Sequence, residues 1–77
     1  EEQNYEDAAK YYQKAADYKP NKQFTPAYLM KAALAFEKSN QNDKAIEAYD
    51  EIIENYWESP EFQNARKFKA KLDSNNS

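Results

Sequence analysis

Apolar residues recur every three or four positions along most of the chain, and charged and amide side chains fill the positions between. Tyr5, Ala8, Tyr12 and Ala15 stand at i, i+3, i+7 and i+10, one stripe of a helix over residues 4–19. Tyr11 and Tyr18 widen that stripe. Asn4 is placed to cap it, Glu6 and Asp7 suit its first turn, Lys19 its last, and Pro20 ends it. After a loop, Thr25-Pro26 opens a second helix, with Thr as cap and Pro at the first helical position. Tyr28, Leu29, Ala32, Ala33 and Phe36 follow at helical spacing to about Lys38, with Met30 and Leu34 on a neighbouring strip. The run Ser39-Asn40-Gln41-Asn42 is a short polar turn, in which Asn40 is expected to be left-handed because no glycine is available.

A third helix starts at Asn42 or Asp43 and reaches about Tyr56, burying Ala45, Ile46, Tyr49, Ile52 and Ile53. The short turn before it makes helices two and three antiparallel neighbours. Ser59-Pro60 repeats the cap logic of Thr25-Pro26 and predicts a fourth helix over 59–72, with Phe62, Ala65, Phe68 (or Lys69) and Leu72 as its weaker stripe. Residues 73–77 are expected to fray. The pattern therefore gives an all-α chain, an antiparallel helix-turn-helix array of about four helices in a single domain over 1–77.

The array repeats. The two cap pairs, Thr25-Pro26 and Ser59-Pro60, lie 34 residues apart. A shift of 37 sets the first helix on the third, Ala8 on Ala45 and Tyr12 on Tyr49. Periods of 20 to 50 residues mark stacked-helix arrays. At this point the chain resembles the tetratricopeptide repeat family. The second helix of that repeat reads aromatic-x-x-Ala-x-x-x-aromatic-x-x-Ala and then proline, which Tyr5, Ala8, Tyr12, Ala15 and Pro20 reproduce. The next copy keeps Ala45 and Tyr49 but has Asn42, Ile52 and Trp57 at the other three places. Leu29, Ala32, Ala33 and Phe36 stand where the first helix of the repeat carries its signature, and Asn40 replaces the frequent turn glycine. The likeness covers 4–58 well and 59–72 weakly. An unrelated Ala/Tyr-rich helical bundle is the competing fold. The wording of residues 43–72 is also similar to repeat proteins of the bacterial envelope, which bears on location alone and leaves cytoplasm and periplasm both open.

The resemblance implies a superhelix fragment of about two repeats that works as a protein-interaction or assembly scaffold. It also implies that first-type helices line an inner face. On the second helix that face is Ala27, Met30, Leu34 and Glu37, apolar with a flexible methionine, suited to an apolar peptide or helix. Family members that grip a C-terminal carboxylate use a Lys/Asn pair where Met30 and Leu34 stand, so that activity is not implied. Met30 and Leu34 are equally able to pack on an adjacent repeat. The chain begins at Glu1 with Met30 as its one methionine, which reads as a segment entered halfway through a repeat. The Tyr5/Ala8/Tyr12 face is then short of cover and is a candidate for self-association.

Composition narrows the chemistry. The chain has 77 residues with no glycine, cysteine or histidine. No thiol, imidazole or phosphate-binding glycine loop is present, so the reading is not an enzyme, with no cofactor and no metal. Net charge is −3, too mild for a polyanion binder. Asp43, Glu47, Asp50, Glu51, Glu54 and Glu58 run along one helix and read as a solvated face. Arg66, Lys67, Lys69 and Lys71 surround Phe68, a pattern that can touch nucleic acid but reads better as a charged capping helix. Tyr56 and Trp57 either anchor an interface or cover the gap between helices three and four. A third reading makes the chain purely structural, packing on its own parent.

Overall fold

The computed structural model describes residues 4–75. Four helices follow one another: α1 (Tyr5–Asp17), α2 (Thr25–Lys38), α3 (Asn42–Asn55) and α4 (Phe62–Asn75). Each packs on the next, α1 on α2, α2 on α3 and α3 on α4, so the helices form an array and not a closed bundle. The described helices contain none long and apolar enough to cross a membrane.

The ends of the helices explain their lengths. The Asp7 backbone N–H donates to Asn4 Oδ1 at 3.1 Å, and Asn4 Nδ2 donates back to Asp7 Oδ2 at 2.9 Å, a reciprocal cap that starts α1. The helix stops at Asp17, earlier than expected. Tyr18 is extended and Lys19 has φ 54°, so Lys19 lies beyond the last turn, and Lys14 is the cation within it. Proline at 20 disfavours the α conformation at the residue before it.

Thr25 does not cap α2. Asn21 Oδ1 accepts the N–H groups of Gln23 (2.9 Å) and Phe24 (2.7 Å), and Thr25 Oγ1 accepts the Asn21 N–H at 2.7 Å. Asn21 thus organises a turn that leads straight into the helix, and Thr25 and Pro26 are buried. At the far end Gln41 N–H donates to Phe36 O and Asn40 N–H to Glu37 O, the two bonds of a Schellman ending. Asn40 sits at φ 64°, the left-handed residue that ending needs.

α4 opens at Phe62, three residues later than Ser59-Pro60 suggested. Residues 57–61 form turns, with Ser59 N–H donating to Tyr56 O and Phe62 N–H to Ser59 O. The Ser59 hydroxyl is buried without a hydrogen-bond partner, so it caps nothing. α4 runs on to Asn75, past the expected end at 72; Asn76 and Ser77, part of the segment expected to fray, lie outside the described residues.

The core is a line of alanines with large side chains between them. Leu29, Ala32, Ala33, Ala45, Tyr49 and Ile52 are fully buried where α2 and α3 meet. Small residues let the backbones approach, and Tyr49 fills the space beside them, its ring edge-on to Phe68 at 6.0 Å between centroids. Ala65 and Leu72 bury α4. On α1 the fully buried residues are Ala9 and Ala16, whereas Tyr5, Ala8, Tyr12 and Ala15 are half-buried. The stripe read from the sequence is the edge of the contact with α2, not its centre.

Candidate functional site

α2 is packed by α1 and by α3. Its remaining side carries the strip expected to bind. Leu34 is 38% exposed. Ala27, Met30 and Glu37 are half-buried, and Met30 packs against the core. The four lie on one side of α2, but they are not equivalent. Tyr49 Oη donates a hydrogen bond to Glu37 Oε2, tying the end of the strip to α3. Burial first, and then that carboxylate, hold the Tyr49 hydroxyl well above the ordinary tyrosine range. Glu37 therefore fastens the α2–α3 pair, while Met30 and Leu34 supply the apolar surface.

Two residues that the sequence reading passed over border the strip. Lys31 lies over the Tyr12 ring at 5.9 Å and Lys38 over the Tyr5 ring at 5.5 Å. Each ammonium rests on an α1 aromatic face with its head in water, as cation–π geometry favours. They fix the antiparallel register of α1 and α2, and they give the strip a basic margin. Their i, i+7 spacing was a visible signal; the rings beneath them were not.

The other candidates are less well built. Lys69 Nζ pairs with Asp50 Oδ1 at 2.6 Å, so the basic run on α4 is partly neutralised by α3. That bond holds the Lys69 ammonium above its ordinary range, against desolvation. Arg66 stacks over Phe62 at 5.6 Å. Among the described residues no three acidic side chains converge as metal ligands do. A cleft of about 400 Å³ separates α1 from α3, floored by Phe36 and Ala48 and walled by Lys10, Lys14, Lys44 and Glu51. Lys44 lies over the Phe36 ring at 6.0 Å. Burial and then the negative charge of Asp17 raise the Glu51 carboxyl above its ordinary value. A smaller cavity of about 240 Å³ sits at the α3–α4 turn, between Lys22, Tyr56, Pro60 and Trp57, whose indole is 63% exposed.

Neighbour-only packing of antiparallel helices around small residues defines a helical-repeat protein. The family model described as tetratricopeptide repeat matches residues 27–59. Over those residues the α2–α3 hairpin is similar to a tetratricopeptide repeat. α1, with its Tyr5-Ala8-Tyr12-Ala15-Pro20 signature, lies outside the matched residues. No curated protein and no solved structure gives a significant match to the chain. The likeness of residues 43–72 to envelope proteins has no relative behind it.

Proposed function

We propose that this chain is a non-catalytic module that binds another protein through the free side of α2. One observation supports this most: on the matched hairpin Leu34 is exposed, with Met30 half-buried beside it on α2. Leu34 is a large apolar side chain more than a third exposed, and Met30 beside it is flexible enough to repack against varied partners. Lys31 and Lys38 border the same strip, so the partner segment suited to it is apolar along one edge and acidic along the next. Binding is by shape and apolar contact.

The reading is tested by selecting peptides from a displayed random library against the chain. Met30→Glu with Leu34→Glu should weaken the selected peptides at least about tenfold, since two buried apolar contacts are lost. Helix content by circular dichroism should hold. Peptides that bind the double variant as well as the native chain would place the site elsewhere. A library that yields no binder would favour a segment that packs only within its own parent.

A further inference from the structure

Leu34 is exposed on α2, and its neighbours on the helix surface are the residues three and four away. Met30 and Lys31 precede it, and Glu37 and Lys38 follow it. The four divide by chemistry. Met30 is half-buried against the core and Glu37 accepts the Tyr49 hydroxyl, so the one carboxylate on that flank is engaged. Lys31 and Lys38 are exposed and form the other flank. Each rests on an α1 ring, Lys31 on Tyr12 and Lys38 on Tyr5. Two cations are thus held seven residues apart, about 10 Å along the helix axis. Among the described residues neither has a carboxylate within ion-pair distance. Ala27, half-buried, completes with Met30, Lys31 and Leu34 the i, i+3, i+4, i+7 set that receives a side chain from a neighbouring helix.

We propose, resting on the α2 reading, that the partner is an amphipathic α-helix laid along α2. One of its large apolar side chains sits between Ala27, Met30, Lys31 and Leu34, and acidic side chains seven residues apart meet Lys31 and Lys38. Two arguments select this partner. The backbone groups of α2 are spent within the helix, so an extended segment would find no N–H or C=O there to pair with and would bury its own unpaired. A helix brings its hydrogen bonds with it. The second argument is charge. Two cations two turns apart match carboxylates at the same repeat on a second helix, as flanking charges do in paired helices, and they repel a basic one.

The probes are two end-capped peptides, each two heptads long, with leucine at a and d. One carries glutamate at the flanking e and g positions and the other carries lysine there. The native chain should bind the glutamate peptide at least about tenfold tighter than the lysine peptide. Lys31→Glu with Lys38→Glu should reverse that order. Lys31→Gln with Lys38→Gln should remove the preference for glutamate with helix content unchanged, which decides the matter if the charge reversal loosens α1. Proline at the centre of the glutamate peptide breaks its helix and should weaken it at least about tenfold. Equal binding of the two peptides overturns the proposal, as does an order that neither variant changes, a proline peptide as tight as its parent, or a chain that binds neither peptide. The α2 reading fails separately. It falls if Met30→Glu with Leu34→Glu binds the glutamate peptide as tightly as the native chain does. It stands, and this proposal alone falls, if that variant loses two peptides that the native chain does not tell apart.

Discussion

Asn40 bears the conformational cost of a chain without glycine. Its φ of 64° closes the turn that lets α3 fold back on α2. A side chain with a Cβ pays roughly 1–2 kcal/mol in that region, and asparagine is among the residues that tolerate it best. Asn40→Ala should therefore lower unfolding stability by about 1 kcal/mol, and Asn40→Gly should not lower it, both read from urea midpoints. Glu51 supplies a pH test. Its carboxyl binds a proton more tightly in the folded chain than in the unfolded one, because of burial and Asp17. Stability therefore falls as pH rises from the ordinary glutamate value through the raised one. Glu51→Gln should raise the melting temperature at pH 7 and leave it unchanged near pH 3. The gain is small, about 0.5 kcal/mol or less, because water screens a half-buried side chain. An equal gain at both pH values would mean that the carboxylate charge is not the cause.

Helix starts show what a sequence can and cannot announce. Asn4 announces α1 because its cap uses residues three apart, and Asn40 announces the α2–α3 turn because few other residues there tolerate a left-handed backbone. Thr25-Pro26 and Ser59-Pro60 look alike, yet the chain treats them differently. Before Thr25 a turn organised by Asn21 leads into the helix, and after Ser59 the chain makes turns until Phe62. The decisive quantity is where each hydroxyl points, and packing sets that. Ser59→Ala makes this measurable. A capping serine loses about 1 kcal/mol on truncation, whereas a buried hydroxyl without a partner loses nothing or gains. Thermal melts of Ser59→Ala should show no loss of stability. The α1 stripe was displaced by one position for a related reason. Its periodicity shows that a helix has an apolar side, but the residue at the centre of the contact depends on where α2 lies.

At the scale of the molecule, α1 to α3 and α2 to α4 each recur at 37 residues, the shift that aligns Ala8 with Ala45 and Tyr12 with Tyr49, whereas the 34-residue spacing of the two cap pairs does not mark helix starts. Repeats are legible because each unit repeats one packing problem, with small residues where backbones meet and aromatics where they part. The free side of α2 was legible by subtraction, once two neighbours were assigned to it. The bond from Tyr49 to Glu37 was not, since it joins residues twelve apart across the hairpin and depends on the approach of two helices. Nor was the basic margin of Lys31 and Lys38, which needs the α1 rings beneath it. Together these give the proposed strip an end fixed through Glu37 and a margin of cations, on a helix packed by both α1 and α3. That rigidity suits recognition by a preformed surface. The most direct measurement is amide chemical-shift mapping of the isotope-labelled chain during titration with a library-selected peptide. The account predicts the largest shifts within residues 27–38, centred on Met30 and Leu34. Largest shifts in the α1–α3 cleft or at the α3–α4 turn, with α2 unmoved, would contradict it.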